Sequence, residues 1–264
     1  MSKELNVGLD SFVFVDDNEF EIQLIKDVLP EVTTILRPRN LSLFPFVLRS
    51  NFHLFYQLSV TNEDKSKTEM YIAESRRNSS KAKFSTMLDY LSSLDIKMSV
   101  FINDKDLIPR MAQMTQKTNQ FNFTTQRCSE KEISHYIVGE NYVVFAFSVA
   151  DRFGDSGVSG LVVIELDYNF KSAFIKSFLL SCRVLGRNLE YAIINIILKY
   201  LNENSIEKVD GLYIKSKKNN QVKDLYEKFG FKLLKKDELS KIFSLNLKDY
   251  TPETIDYIEV IYER

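Results

Sequence analysis

The chain has 264 residues, of which 44% are hydrophobic, so it can form one large or two modest domains with a substantial core. Its 35 basic and 36 acidic residues nearly balance, which argues against a general polyanion binder and predicts no nucleic-acid partner. The N-terminus carries no apolar signal segment, and polar residues interrupt the apolar stretch 41–60, so no membrane-spanning helix is expected. Cys128 and Cys182 form no metal-binding spacing, and a soluble protein of the reducing cytoplasm is the simplest interpretation.

The first predicted elements form a short β–α–β unit. Residues 11–15 predict a strand that ends in Asp16 and Asp17, Asn18 can cap a helix over residues 19–29, and residues 32–35 could form another strand. Two carboxylates at the end of a strand suit a hard cation such as Mg²⁺, so Asp16 and Asp17 are candidate metal ligands. Solvated aspartates at a strand end are the alternative.

Polar and charged segments separate the elements that follow. Residues 42–57 favour a helix or a packing arm, residues 62–67 a linker, and residues 69–77 and 82–94 two helices. Arg76 and Arg77 are interpreted as a solvated face, with a phosphate contact as the alternative. Residues 97–102 then predict a strand, and residues 106–118 and 130–138 predict two further helices.

An unusually polar run follows the helix predicted over residues 106–118. Its amides and hydroxyls alternate with Phe121 and Phe123, which suits a site that orients a polyhydroxy acyl group. An ordinary capped loop explains the same pattern equally well. The candidate substrate-binding residues of this run are Asn119, Gln120, Asn122, Thr124 and Thr125.

Three apolar strands and a loop dominate the second half of the chain. Residues 142–149, 158–166 and 173–181 predict strands, and the loop 182–188 opens a strongly apolar helix. Residues 209–214 and 231–235 predict two later strands around a helix over residues 219–229, which Gly230 ends. The charged residues 236–264 predict no element.

The loop 182–188 suits an anion, because a helix N-terminus presents unpaired N–H groups and Arg183 and Arg187 would add full charges. A helix start with solvated arginines is the alternative. Cys182 lies next to Arg183 in this setting, which predicts a lowered thiol pKa and a nucleophilic thiolate. The alternative for Cys182 is an inert packing residue.

Five segments of the chain resemble one family in their order and spacing. They are FVDDN (14–18), KTNQFN (117–122), FSVADRFGDSG (147–157), SCRVLGR (181–187) and YEKFGF (226–231). Together they resemble the FkbH-like proteins, in which a phosphatase domain of the haloacid dehalogenase superfamily, subclass IIIC, is fused to a GNAT-like acyltransferase domain. The resemblance spans roughly residues 5–234.

The resemblance implies an α/β protein. A GNAT-like acyltransferase fold, with a mixed central sheet and flanking helices, would follow a remnant of a Rossmann-like haloacid dehalogenase domain. The implied divisions are the remnant and its connector (1–60), a helical linker (61–94) and the GNAT-like domain (95–264). The family's Asp-x-Asp nucleophile motif has no counterpart here. This chain alone is therefore not expected to be a phosphatase, and Mg²⁺ is expected only with a complete phosphatase domain.

The resemblance also implies an activity. FkbH-like proteins are implied to take a glyceryl unit from 1,3-bisphosphoglycerate, hold it as a protein thioester and pass it to an acyl carrier protein in specialised-metabolite or surface-glycan biosynthesis. The expected cofactor is CoA or carrier-bound phosphopantetheine, and the expected partners are an acyl carrier protein and a separately encoded phosphatase half. A non-catalytic binding half of a split enzyme and a conventional acetyl-CoA-dependent N-acyltransferase are the alternatives.

The resemblance assigns the candidate site residues. Cys182 matches the family's cysteine, and Arg152 would recognise a substrate carboxylate or phosphate. Asp151 or Asp155 could orient Arg152 or His135, and charges that solvate the loop are the equal alternative for both. Asn219 and Tyr226 match positions near the thiol end of a pantetheine arm, with an N-cap and a packed aromatic as their alternatives. Asn188 replaces the small residue that ends the GNAT phosphate loop. The predicted catalytic residues are Cys182, Asp155 and His135, and the predicted cofactor-binding residues are Arg183, Gly186, Arg187, Asn188, Asn219 and Tyr226.

Overall fold

The computed structural model describes residues 8–55 and 67–263, and its contacts divide the chain into two units, Met1–Lys65 and Ser66–Arg264. The division differs from the three parts predicted from sequence. Residues of the predicted helical linker, such as Tyr90, Leu91 and Leu94, are buried in the core of the larger unit. Most of the predicted polar linker 62–67 and the end of the predicted segment 42–57 lie outside the described residues.

The smaller unit contains the predicted β–α–β arrangement. Strand β1 (Val13–Asp16) pairs in parallel with β2 (Thr33–Leu36), and α1 (Glu19–Val28) connects them, followed by α2 (Phe44–Ser50). Asn18 caps α1, because its Oδ1 accepts from Phe20 N at 3.0 Å. Many α/β folds share such a unit, so it does not identify a haloacid dehalogenase remnant.

The larger unit contains six helices and nine strands among the described residues. The helices are α3 (Lys67–Lys81), α4 (Met87–Ser92), α5 (Ile108–Lys117), α6 (Glu130–Val138), α7 (Leu189–Glu203) and α8 (Leu225–Lys228). The strands are β3 (Ile96–Ile102), β4 (Phe121–Asn122), β5 (Tyr142–Asp151), β6 (Gly154–Asp167), β7 (Ser172–Leu180), β8 (Lys208–Ile214), β9 (Lys232–Lys236), β10 (Ser240–Asn246) and β11 (Ile258–Tyr262).

These strands form one mixed sheet in the order β11-β3-β5-β6-β7-β8-β10-β9, with β4 paired to β7. Neighbouring strands run antiparallel except for the pairs β11–β3 and β7–β8. The strand order and flanking helices confirm the predicted GNAT-like α/β fold. No helix in the described part of the chain is long and apolar enough to cross a lipid bilayer.

Both faces of the sheet are covered, which explains why the middle parts of its central strands are largely apolar. Alternate side chains of β5 enter different cores, with Val143 and Phe145 on one face and Val144 and Ala146 on the other. Helix α7 supplies much of the first core, and α5 and α6 line the second.

Three stretches differ from the sequence-based expectations. Only Met87–Ser92 of the helix predicted over residues 82–94 is helical. The helix predicted over residues 219–229 is instead two short elements, a 3-10 turn (Asn220–Val222) and α8. Asp224, which lies between them, has a non-helical backbone conformation. The charged tail, for which no element was predicted, contains β10 and β11.

Candidate active site at the carboxyl end of strand β7

The carboxyl ends of the parallel strands β7 and β8 diverge, and a segment of the same chain lies between them. The two strands pair directly only as far as Ile175 and Gly211. Beyond this point Phe121 and Asn122 pair with the end of β7, Phe123 N donates to Phe178 O at 3.1 Å, and Ile214 N donates to Phe123 O at 2.8 Å. Residues 121–124, called the inserted segment below, therefore bridge the two strands.

The side chains of the inserted segment are fixed as firmly as its backbone. The ring of Phe123 is fully buried, stacks on Phe178 at 5.2 Å and contacts Tyr226 at 4.5 Å. The amide of Asn219 donates to Asn122 O at 2.9 Å and to Ile214 O at 2.8 Å. One side chain thus ties the inserted segment to the end of β8.

Asn219 and Tyr226, both predicted to contact the cofactor, are enclosed by these contacts. Asn219 is 0% exposed and Tyr226 is 1% exposed. The hydroxyl of Tyr226 has no hydrogen-bond partner among the described residues, and burial raises the pKa of Tyr226 far above its ordinary value. Their cofactor role stays a prediction, and it would require the inserted segment to move.

Some side chains of the polar run, which predicted an acyl-group site, form hydrogen bonds with nearby backbone groups instead. Asn122 is buried, donates to Thr118 O at 3.1 Å and accepts from Thr125 N at 2.8 Å. The hydroxyl of Thr124 donates to Lys176 O at 3.2 Å. The capped-loop alternative therefore accounts for Asn122 and Thr124, whereas Asn119, Gln120 and Thr125 remain accessible.

A buried cluster of four charged residues lies against the loop 182–188. Arg77 makes two hydrogen bonds to Asp151, at 2.6 and 3.0 Å, and one to Glu74 at 3.2 Å. Arg187 donates to the same Asp151 carboxylate at 3.0 Å and to the carbonyl of Arg183 at 2.7 Å. Two guanidinium groups and two carboxylates leave the cluster formally neutral.

The guanidinium group of Arg187 is therefore buried and hydrogen-bonded within the protein. It is 4% exposed, burial lowers its pKa, and the charge of Arg77 acts in the same direction while Asp151 opposes both. Its contacts favour a structural role in holding the loop over a direct contact to phosphate. The cluster also shows that Arg77 is not on a solvated face, whereas its neighbour Arg76 is exposed.

Of the other predicted phosphate-binding residues, Arg183 and Asn188 have side-chain partners within the protein, whereas Gly186 is exposed. Arg183 donates to Ser181 Oγ at 3.2 Å and contacts the sulfur of Met70, and Asn188 donates to the hydroxyl of Tyr257 at 2.7 Å. Gly186 is exposed with a φ of +77°, and a side chain there would meet nothing within 4 Å. No side chain caps the N-terminus of α7, so its first N–H groups remain candidates for an anion.

Cys182 begins a 3-10 turn, Cys182–Val184, directly after β7, and it is partly buried. Burial raises the pKa of the Cys182 thiol, while the charge of Arg183 and nearby backbone amides lower it. The net direction is upward, so the predicted lowered pKa is wrong, because burial outweighs the neighbouring charge. Cys128 is only 2% exposed, and burial raises its pKa as well.

The three predicted catalytic residues are not brought together. The ring of exposed His135 lies 6.0 Å from that of Tyr142, which is level with Glu165 and Phe174 across the sheet. Phe174 precedes Leu180 by six residues of β7, so His135 lies about 20 Å from the Cys182 end of the sheet. A role for His135 beside Cys182 is therefore contradicted.

The charged residues Arg152 and Asp155, at the turn between β5 and β6, also interact with neighbouring groups of the protein. Asp155 is exposed and accepts from Gly157 N at 2.7 Å. Arg152 donates to Ser80 Oγ at 3.0 Å, and its guanidinium lies 4.8 Å from the centre of the Phe153 ring. Arg152 remains exposed, so its predicted role in substrate recognition stays a prediction.

The predicted metal ligands lie in the smaller unit. Asp17 forms a salt bridge with Arg37, and Asp16 accepts from Asn18 N at 2.8 Å. Within residues 8–55 and 67–263 there is no group of three or more His, Cys, Asp or Glu side chains that could hold a metal ion. A metal role for Asp16 and Asp17 stays a prediction.

Glu74 and Arg77 shape the site although neither is among the site residues predicted from sequence, and the same is true of Glu190 near the start of α7. Glu190 lies in the first turn of α7, where burial raises the pKa of its carboxyl, while its own backbone amide and Lys228 lower it. The spacing of Glu74 and Arg77, three positions apart on one helix face, was the available signal for their pairing.

The similarity of the chain to known proteins is found among solved structures. No protein-family model matches it, and no curated protein matches its sequence. Among solved structures it is similar to a ribosomal-protein-alanine N-acetyltransferase from Escherichia coli, at 14% identity and a TM-score of 0.45, covering 57% of this chain and 94% of that one. It is also similar to the spermidine N-acetyltransferase of Vibrio cholerae in complex with CoA and spermine, at 15% identity and a TM-score of 0.45, covering 58% and 97%. An N-acetyltransferase from Staphylococcus aureus matches at 14% identity and a TM-score of 0.43, covering 58% and 99%.

The residues present do not fit a pantetheine arm laid between β7 and β8. The inserted segment already uses the hydrogen-bonding groups of Phe178 and Ile214 that face this opening. The ring of Phe123 fills the space between Phe178 and Tyr226. A CoA molecule in that position would have to displace a fully buried strand.

Proposed function

We propose that the larger unit is an acyltransferase that carries an acyl group on its own Cys182 and transfers it to an external thiol. The observation that supports this proposal is the pair of features at the end of β7. The inserted segment fills the opening between β7 and β8, beside Asn219 and Tyr226, which were predicted to lie near a pantetheine arm, and a partly buried cysteine lies at the edge of the filled opening. A covalent carrier on the chain itself removes the need for a bound cofactor.

The proposed reaction has two steps. The Cys182 thiolate attacks the carbonyl carbon of an acyl phosphate, the S–C bond forms, the C–O bond to phosphate breaks, and phosphate leaves. An external thiolate then attacks the thioester, and Cys182 leaves as a thiolate. Backbone N–H groups at Cys182 and Arg183, which stabilise the thiolate, would also favour an oxyanion nearby. By resemblance, the acyl group is glyceryl or related and the external thiol is phosphopantetheine, on a carrier protein or CoA.

Intact-protein mass spectrometry tests this proposal. The pure chain is incubated with acetyl phosphate and with 1,3-bisphosphoglycerate, with and without a candidate phosphatase half supplied separately. We expect an acyl mass increment that hydroxylamine removes, that persists in Cys128→Ser and that is absent in Cys182→Ser. An increment that persists in Cys182→Ser, or no increment with any donor, would contradict the proposal. We also expect no Mg²⁺-dependent phosphatase activity from the chain alone.

A second candidate function is favoured by the surface of the smaller unit. Parallel sheets normally have both faces covered by other elements. The parallel sheet of β1 and β2 has only two strands, and few apolar side chains in the described part of this unit are buried. Large apolar side chains are exposed instead, including Phe20 at 70%, Val28 at 64% and Phe46 at 71%. These features support a role as the binding half of a split enzyme that docks an α/β partner, such as a phosphatase half.

Co-purification with a candidate phosphatase half, expressed separately, tests this second function. We expect a complex that Phe20→Ser and Phe46→Ser weaken and that Phe170→Ser, an equally exposed aromatic of the larger unit, leaves unchanged. A complex insensitive to both smaller-unit changes would contradict docking at this surface. A complex that forms without any Cys182 adduct would favour the second function over the first.

A further inference from the structure

A cavity of about 480 Å³ lies beside the inserted segment and is open to solvent. Its lining residues come from the two ends of the polar run and from the turn after β8. They are Asn119, Thr125, Arg127, Ser216, Lys217 and Lys218. None of the six is acidic and three carry a positive charge, so the cavity attracts anions.

The basic side chain on one wall is held in place. Arg127 Nη1 donates to the carbonyls of Thr115 and Thr118, and its Nη2 donates to Asn119 Oδ1. A guanidinium has five N–H groups, so two of those of Arg127 have no acceptor among the residues that the structure describes. A fixed guanidinium with N–H groups to spare loses little entropy when it binds an oxyanion.

The opposite wall is fixed by the residue that anchors the inserted segment. Asn219 Oδ1 accepts from Ser216 N at 2.8 Å, while its amide donates to Asn122 O at 2.9 Å. The N–H of Lys218 donates to Ser216 Oγ at 3.3 Å, which shapes the same turn. Asn219 therefore ties the turn after β8 to the inserted segment, and this wall is organised before any ligand arrives.

One wall of the cavity lies toward the end of the sheet where Cys182 is found. Phe121 pairs with Leu180 in an antiparallel register, so Asn119, two residues before, and Cys182, two residues after, come to the same end of β7. The wall formed by Asn119, to which Arg127 donates a hydrogen bond, therefore lies toward the end of the sheet that carries the partly buried thiol.

We propose that this cavity binds the phosphate group of the substrate that delivers or receives the acyl group at Cys182. The shared chemistry is a phosphate monoester or diester, carried by a three-carbon acyl donor or by a phosphopantetheine arm. The inference rests on the proposed acyl transfer only for the identity of the molecule that bears the phosphate. Phosphate binding itself is independent of any acyl adduct.

Titration of the ¹⁵N-labelled full chain, followed by NMR at constant ionic strength, tests the proposal. The probes are inorganic phosphate, 3-phosphoglycerate and pantetheine 4′-phosphate. We expect amide shifts at Asn119, Arg127 and residues 216–218, and the organic probe that binds more tightly than inorganic phosphate identifies the donor or the acceptor side. The double variant Lys217→Gln/Lys218→Gln should weaken binding by about tenfold, as expected for the loss of two exposed charge contacts.

The matched control is Lys235→Gln/Lys236→Gln, which removes the same charge from exposed positions on β9. It should leave the affinity unchanged, and Lys217→Arg/Lys218→Arg should retain most of it. Three outcomes would overturn the inference. They are equal weakening of binding in the two double glutamine variants, amide shifts confined to residues 183–190, and no amide shifts with any probe. Phosphate binding without an acyl adduct would overturn only the proposed acyl transfer, and an adduct without phosphate binding would overturn only the inference.

Discussion

The side chain of Asp151 is fully enclosed and faces two guanidinium groups, Arg77 at 2.6 Å and Arg187 at 3.0 Å. Its Oδ1 also accepts from Phe153 N at 2.9 Å, so both oxygens are used. Through Arg187, which donates to the carbonyl of Arg183, this one carboxylate supports the loop that carries Cys182. The loop's geometry thus depends on a charge that the loop itself does not contain.

Asp151→Asn should therefore destabilise the larger unit strongly. Removing one partner of a buried ionic cluster leaves the other charges uncompensated, and we expect a loss of about 3–5 kcal/mol in the free energy of unfolding. Urea denaturation followed by circular dichroism measures it. Asp155→Asn makes the same chemical change on an exposed residue and should cost less than about 0.5 kcal/mol. Equal losses in the two variants would show that the cluster contributes little.

The raised pKa of Cys182 predicts how its reactivity depends on pH. The thiolate is the nucleophile, and burial disfavours it, so the rate of alkylation should still be rising above about pH 8.5, where an ordinary thiol is half ionised. Arg183→Ala removes a charge that lowers the pKa and should slow alkylation at pH 8. Cys128 should react more slowly because it is almost fully buried. A rate that reaches its plateau below pH 8 would contradict the upward direction.

The inserted segment owes its position to backbone pairing with β7 and β8 and to Asn219, which contacts both Asn122 and the end of β8. Asn219→Ala should leave the carbonyls of Asn122 and Ile214 without a donor, at a cost of about 1–3 kcal/mol each if they stay buried. Hydrogen exchange of the Phe123 and Ile214 amides should accelerate, because these two amides bond the segment to its neighbours. Asn220→Ala, at the exposed next position, is the control and should leave both amides protected.

The elements that were predictable are those whose pattern is local. Each of these patterns is contained within a few consecutive residues. The structure confirms the β-branched and aromatic runs as strands β5, β6 and β7, and it confirms the cap at Asn18. Strand β4 has only two residues, and its role depends on two strands far along the chain. Its polar neighbours suggested a ligand site because sequence cannot show which strand edge a short segment will join.

At the candidate site the sequence placed Cys182 and Arg183 correctly at the end of a strand. It could not predict the direction of the thiol pKa, because that direction depends on burial by the rest of the unit. Arg76 and Arg77 show the same limit: they are adjacent, yet only tertiary packing decides which of them is enclosed. His135 was predicted to act with Cys182 and Asp155, but the sheet register separates it from Cys182.

Considered as a whole, the chain has most of its core in one unit. The large buried clusters consist of residues between Tyr90 and Ile258, whereas Ile22, Val32 and Ile35 are the buried apolar residues within the described part of the smaller unit. A fragment comprising residues 67–264 should therefore fold alone. Its urea transition should coincide with the main transition of the full chain, and the full chain should show an additional, weaker transition. Loss of the main transition in the fragment would contradict this independence.

The inserted segment also has a consequence for the order in which the chain folds. Asn122 and Asn219 are 97 positions apart, and β4 can enter only after β7 and β8 have formed on either side of it. The β5–β6 hairpin, by contrast, closes over a short connection between Asp151 and Gly154, so its contacts carry little loop-closure entropy. In pulsed hydrogen exchange during refolding, the hairpin amides should gain protection before that of Phe123. Until that last step, the edges of β7 and β8 are unpaired strand edges, and the folding intermediate is most prone to aggregation there.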